Sequence, residues 1–445
     1  MDSIFAAQNS HLEDAALFSE RDPELLRLKS QKYIHEFSVL KKFPIDSPGL
    51  FTLCGPHQSG KTTLLKLWMQ NLLKEVPPEA IAFFGCDEIE NYHVLERQVR
   101  KQIEAMPNDR VIYVLLDDVT SVRDWQKGIK PLFDSGLMQR TMLMLTSLDK
   151  TLVQDTQIFF PKEKRGDFII NPLSFRETVL LKLGHEPEPS ILFKEFDQYL
   201  IHGGYLDAIN SMAKENKLND ALFKQYATWL CRYTEKRGKQ ERYLREILNA
   251  VLNHYDMPIT WNSLAHELTI DHPKTIGDYF AMLESMGIVL VQYALQEDSL
   301  SGAPKKARKL MFTDPFIFHA MQALISPAKN HFDENIKKLL NNPEQSSKLV
   351  ESCVISQFAR YFPTFYIKGE GDVALAYVYN QRFWPIEITW TYQLPAKNLK
   401  QILKYSNGRI LTKTERSGII QQIKTEPLPL ALWQLEDSNN QQIMT

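Results

Sequence analysis

Residues 49–72 read GLFTLCGPHQSGKTTLLKLWMQNL: an uncharged run, a glycine-bounded loop, then apolar residues at helical spacing. The run 49–54 is too short for a helix and has no polar alternation, which predicts a strand buried on both faces. The loop that follows satisfies G-x-x-x-x-G-K-[ST] between a strand and a helix, the context a phosphate cradle requires. Glycines let backbone N–H groups turn inward, and a helix start adds unpaired donors with a favourable dipole. The reading predicts Gly55, Pro56, His57, Gln58, Ser59, Gly60, Lys61, Thr62 and Thr63 as the cradle of a nucleoside triphosphate. Lys61 is expected to reach the β and γ phosphates, and the Thr62 hydroxyl to ligate Mg²⁺. His57 is left unspecified by the pattern and is expected to face solvent.

Outward from this loop, further apolar runs recur at 80–85 (AIAFFG), 111–116 (VIYVLL), 141–146 (TMLMLT) and 167–173 (DFIINPL), separated by helical or polar stretches. That alternation predicts an α/β domain with a parallel sheet over 47–180. VIYVLL ends in two carboxylates. Asp117 is the expected metal-site acid, and Asp118 takes the place where many P-loop ATPases carry the glutamate that orients the attacking water. Asp is one methylene shorter, so slow hydrolysis is expected. Thr146 and Ser147, at the end of TMLMLT, are candidates for a polar sensor near the γ phosphate.

Residues 1–46 look helical with charged faces and carry no interpretable motif. A helical lid is expected over 181–240. Over 241–330, three helices (YLREILNAVLNHY, ITWNSLAHEL, TIGDYFAMLESMG, with a turn at DHP) precede the strands IVLVQYAL and KLMFTD, the order of a winged helix-turn-helix. Its candidate recognition helix offers Asp278 and Glu284 and only Lys274 just before it, a poor surface for phosphate attraction. The loop with Lys305, Lys306, Arg308 and Lys309 is the one basic cluster, readable as a wing on a nucleic-acid backbone or as a solvated loop. The last stretch, 331–445, reads as a mixed α/β domain ending in the strand GRILTK.

Composition sets bounds on these readings. The 445 residues exceed one hydrophobic core, and 52 Lys plus Arg against 54 Asp plus Glu leave no global field toward nucleic acid or membrane. Cys54, Cys86, Cys231 and Cys353 are scattered, without metal or redox spacing, and are expected to be small buried hydrophobes. The acidic N-terminal stretch is unlike a signal peptide, and no window approaches about 18 apolar residues, so a cytoplasmic protein without a membrane span is expected.

GPHQSGKTTLL, LLDDVTSVRDWQKGIKPLFDSG, LTSLD, NPLSFRET, IHGGYLDAI, FTDPFIFHA and PIEITW together resemble the prokaryotic AAA-type ATPases that pair a P-loop module with a C-terminal domain of unknown function. The resemblance covers roughly 45–440 and implies ATP with Mg²⁺ as cofactors, ring-like assembly by analogy, and an unidentified protein partner. It places Asp-Glu where Asp117-Asp118 stand, Gly-Ser where Ser147-Leu148 stand, and Gly-Arg where KRGD stands; Arg165 is the match to the arginine that faces the phosphates. It also implies a winged helix and a restriction-endonuclease-like fold at the end. There a metal-binding set would fall on Glu351, Asp372 and Glu387, with Thr389 where the family has lysine; Lys397, Lys400 or Lys404 are alternative sources of that cation. The main expectation is an ATPase whose nucleotide state moves the lid and winged helix beside an inactive nuclease-like domain. The alternatives are an ATP-gated DNA-binding or DNA-cleaving enzyme, and a nucleotide-gated switch or scaffold with negligible turnover.

Overall fold

The structure is a computed structural model that describes residues 3–157, 164–270, 272–391 and 399–435. The expected turn at DHP begins on residue 271, outside the described residues. The chain divides into two compact units, 1–171 and 172–445.

The first unit is built on a sheet of five strands, β1 (Gly49–Cys54), β2 (Ile81–Gly85), β3 (Ile112–Asp117), β4 (Thr141–Ser147) and β5 (Arg165–Ile169), in the order β2-β3-β4-β1-β5. Every neighbouring pair is parallel. The apolar runs lack polar alternation because successive side chains enter two different cores. Leu50, Val114, Leu116, Leu143 and Leu145 join one, with Leu95, Val99 and Ile129 from the flanking helices Tyr92–Ala105 and Trp125–Asp134. Phe51, Leu53, Tyr113, Leu115 and Met144 join the other, with Leu64, Leu65, Trp68 and Met69 of the helix Lys61–Leu72.

Residues before 47 belong to this unit rather than forming a separate segment. Phe18, Leu25 and Phe43 lie in the second core. β2 is a sheet edge, and three side chains occupy its outward backbone groups. Asn9 accepts from Phe83 N (2.7 Å) and donates to Phe83 O (2.8 Å), Gln8 Oε1 accepts from Gly85 N (3.0 Å), and His11 Nε2 lies 3.1 Å from Ile81 O. An edge strand without such cover is a template for pairing with another chain.

In the second unit, residues 172–180, read from sequence as the end of the P-loop domain, pack within 172–445: Phe175 N donates to Gln357 Oε1 (3.1 Å) and Arg360 to Pro172 O (2.6 Å). The helices Phe175–Leu183, Pro189–His202, Leu206–Glu215 and Asp220–Lys236 occupy the stretch read as a lid. Next come Glu241–Asn253, Trp261–Glu267 and Pro273–Ser285, then β6 (Val289–Tyr293), β7 (Leu295–Gln296), β8 (Ser301–Gly302) and β9 (Arg308–Phe312), with β6 antiparallel to β9. The remainder forms a six-stranded mixed sheet: β10 (Thr364–Ile367), β11 (Val373–Tyr379), β12 (Arg382–Thr389), β13 (Arg409–Thr412), β14 (Gly418–Ile420) and β15 (Ile423–Pro427), ordered β10-β11-β12-β13-β15-β14. GRILTK is therefore not the last strand. A β14–β15 hairpin follows it, with Gln421 and Gln422 at positive φ making the tight turn that no Gly or Pro announces.

Candidate functional site

Parallel strands deliver their C-terminal ends to one edge of the sheet, where loops can converge on a ligand. At that edge β4 lies between β1 and β3. The strand order therefore sets Thr146 and Ser147 between the loop after Cys54 and the acids after Leu116.

Gly60 opens the helix Lys61–Leu72 at φ +97°, a left-handed conformation suited to glycine, with the Phe37 ring close by. No side chain caps this helix start, so its first N–H groups keep the donor capacity of an uncapped terminus. Lys61 is buried, and its Nζ donates to the carbonyls of Gly55 and Pro56, both at 2.8 Å. Burial lowers its pKa to about 8, against the pull of Asp118 and Asp117. Ser59 Oγ is buried without a hydrogen-bond partner among the described residues. A buried ammonium held by carbonyls, an orphaned hydroxyl and an uncapped 12-residue helix together fit an anionic group. His57 does not face solvent as expected: it is half-buried, and burial together with Lys61 lowers its imidazole to about 3.

Thr62 Oγ1 donates to Asp117 Oδ2 at 2.6 Å. The other carboxylate oxygen, Oδ1, accepts from Thr146 Oγ1, also at 2.6 Å, and Thr146 Oγ1 in turn accepts the Asp118 N–H at 2.8 Å. Ser147 Oγ lies 2.9 Å from Thr120 Oγ1 and accepts from Asp149 N at 2.8 Å, while Ser147 O accepts from Gly55 N at 3.1 Å. The Thr146 hydroxyl is thus joined to both acids, while Ser147 meets the loop through its backbone carbonyl, a positioning arrangement that the sensor expectation did not include. Asp118 stands at φ +52°, a left-handed region in which Asp is several-fold enriched among non-glycine residues.

Arg165 is not at this edge. It pairs with Leu50 at the start of β1, whereas Ile169 pairs with Cys54 beside the loop. Four residues of strand, about 13 Å at 3.3 Å per residue, separate it from the phosphate edge of its own sheet. Its Nε instead lies 3.6 Å from Asp167 Oδ2. The expectation that Arg165 faces the phosphates of its own site is corrected by this register.

In the second unit two of the acids expected to bind metal share a cluster. Glu351, on the helix Pro343–Ala359, and the buried Glu387 of β12 lie in one cluster with Asp256 and Lys309. Asp372 sits at the start of β11, accepting from Gly369 N (2.8 Å). Lys400 pairs with Glu370 (2.8 Å), Lys404 with Gln401 (2.7 Å), and Lys397 lies outside the described residues. The basic cluster is only half a loop: Lys305 and Lys306 are exposed, but Arg308 and Lys309 belong to β9 and are buried. Sequence reading missed Asp256 and the role of Lys309; the signal for the latter was period-2 placement in KLMFTD. Among the described residues, no helix is long and apolar enough to cross a membrane. Cys54, Cys86 and Cys353 are buried, whereas Cys231 is partly exposed.

Residues 47–179 match the family model of an AAA domain, and residues 193–328 match that of a domain of unknown function (DUF8612). No curated protein matches the chain. Among solved structures, similarity is found to a RuvB variant of Thermotoga maritima at 15% identity and TM-score 0.30, covering 54% of this chain and 81% of that one. Cdc6p of Pyrobaculum aerophilum is similar at 13% identity and TM-score 0.29, covering 70% and 98%. A signal-transduction ATPase with numerous domains from Pyrococcus horikoshii follows at 10% identity and TM-score 0.28, covering 73% and 48%. The AAA-domain match falls on the parallel β2-β3-β4-β1-β5 sheet, which has the architecture of a P-loop NTPase domain.

Proposed function

We propose that the first unit binds ATP with Mg²⁺ and hydrolyses it slowly. The observation that carries this reading is the 2.6 Å bond between Thr62 Oγ1 and Asp117 Oδ2, a hydroxyl and a carboxylate meeting at the start of an uncapped helix beside a buried lysine. Thr62 and Asp117 would hold the ion, which supplies charge neutralisation at the phosphates. Lys61 and the first-turn N–H groups bind phosphate oxygens. Thr146 fixes the Asp117 carboxylate, and Asp118 orients the attacking water. Turnover is slow because Asp118 is one methylene shorter than glutamate and because Arg165 lies at the far end of its own sheet.

In this reading the helices 241–285 and the β6–β9 pair form a winged helix, and the sheet β10–β15 a nuclease-like fold without hydrolytic activity. Nucleotide state in the first unit is passed to these elements and through them to a protein partner. Nucleic-acid contact is weakly supported, because two of the four expected basic side chains are buried. Binding and turnover measured on wild type and Lys61→Ala test the core of the proposal. Lys61→Ala should lose ATP binding, and equal affinity in both proteins removes the assignment.

A second reading, a nucleotide-gated switch with negligible turnover, is favoured by the placement of Arg165. It is distinguished by tight ATP binding with at most one phosphate released per chain.

A further inference from the structure

β9 places two cations on opposite faces of one strand, as period-2 geometry demands. The Arg308 guanidinium stacks 4.2 Å from the Trp261 ring and donates to Pro304 O (3.0 Å). Lys309 turns the other way, its Nζ 2.9 Å from Asp256 Oδ1 and 3.0 Å from Glu351 Oε1, with 7% of its side chain exposed. Glu387, buried on β12, accepts the Ala374 N–H at 3.4 Å and feels the charges of Glu351, Lys309 and Asp256. Two carboxylates, from a post-helix loop and a helix, thus hold one ammonium that itself comes from a hairpin strand, and a third, on β12, lies within reach of its charge.

A small divalent cation such as Mg²⁺ demands near-octahedral oxygen ligands at about 2.1 Å and keeps several waters. An ammonium is a compact point charge with three donors and suits two or three carboxylate oxygens at hydrogen-bond distance. The residues present fit the second description. With Lys309 in place, no group of three or more His, Cys, Asp or Glu among the described residues is arranged to hold a metal ion. Asp372, the acid expected to complete a metal set, accepts the Gly369 N–H just before β11, and Thr389 stands where a lysine was expected.

We propose that Lys309 is the resident cation of the Asp256, Glu351 and Glu387 cluster, so that an internal ion pair stands where the nuclease-like resemblance implies a hydrolytic metal. The lysine is supplied by the hairpin and not by the (E/D)-x-K strand, so it latches β9 to the helix Pro343–Ala359 and to the Asp256 loop. The proposal extends the inactive nuclease-like reading by naming what closes the site, and it stands independently of nucleotide binding.

The test is Mn²⁺ titration of the full chain, followed by electron paramagnetic resonance, with Asp117→Asn in every protein to remove the nucleotide-site acid. The parent and its Glu387→Gln variant should take up the same small amount of Mn²⁺. Lys309→Met should gain one Mn²⁺ per chain, and adding Glu387→Gln should abolish it. One Mn²⁺ bound by the parent and lost in Glu387→Gln overturns the proposal, as does a folded Lys309→Met that gains none. If Lys309→Met does not fold, the comparison of parent with Glu387→Gln decides alone.

Discussion

The Thr146 hydroxyl donates to Asp117 Oδ1 at 2.6 Å while it accepts the Asp118 N–H at 2.8 Å, so one side chain on β4 sets both acids of the candidate site. Its methyl-for-hydroxyl replacement, Thr146→Val, keeps the volume and removes both bonds. Supporting residues of this kind shift metal affinity by about 10- to 100-fold when lost. The Mg²⁺ concentration needed for half-maximal turnover should rise by that order, while affinity for metal-free ATP stays close to wild type. Unchanged Mg²⁺ dependence removes Thr146 from the site.

Lys61 supplies a pH signature. Burial lowers its pKa to about 8, so the free protein holds a charged ammonium below that pH and a neutral amine above it. Only the charged form pairs with phosphate, and above pH 8 binding must take up a proton. ATP affinity should therefore fall as pH rises past about 8, by up to tenfold per unit, and Lys61→Ala should flatten the profile. Calorimetric titration from pH 6.5 to 9.5 reads both slopes.

The backbone at Asp118 gives two substitutions different consequences. Asn tolerates φ +52° as Asp does, so Asp118→Asn should keep thermal stability and ATP binding but lose turnover. Asp118→Glu restores the reach of the usual residue at a strained position. It should raise turnover while costing about 1 kcal/mol of stability. Paired phosphate-release and melting measurements separate the effects; a Glu variant no faster than wild type shows that side-chain length does not limit hydrolysis.

Asn9 carries a fourth expectation. It is buried and holds both the N–H and the C=O of Phe83 on the sheet edge. Asn9→Ala leaves those groups without partners, which costs about 2 to 3 kcal/mol at the unsatisfied-group rate. Hydrogen exchange at the Phe83 amide should speed up first, and the freed edge should promote self-association at high protein concentration. Unchanged exchange at Phe83 disproves the capping role.

What was readable in sequence follows the range of the interactions involved. The strand run GLFTLC and the loop GPHQSGKT are local patterns, and each folds where it was read. Asn9 looked uninformative because its partner lies 74 residues away, and no local spacing encodes that distance. Lys309 sat in KKARK, which resembles a solvated run, yet its partners Asp256 and Glu351 lie 53 and 42 residues off. For Arg165 the motif was legible but the register was not. A residue's end of a strand depends on which neighbour it pairs with, and Leu50 rather than Cys54 is that neighbour.

The pair Gly203-Gly204 in IHGGYLDAI has a steric explanation, and with it a final expectation. Leu173 N donates to Gly204 O (2.8 Å) and Gly204 N to Asp314 Oδ2 (2.9 Å), so this backbone is pressed between two segments of the second unit. A Cβ on Gly204 would overlap the Leu173 carbonyl, which is backbone and cannot rotate aside; one on Gly203 would overlap the Asp314 carboxylate. Gly203 also sits at φ +57° and ψ −150°, a region essentially restricted to glycine. Gly204→Ala should therefore destabilise the second unit by about 3 kcal/mol or more, in the range of buried overpacking and broken hydrogen bonds combined. Because the first unit has its own two cores, ATP binding should persist at temperatures where the second unit of the variant has melted. A single coincident transition lowered for both would show instead that the units fold as one.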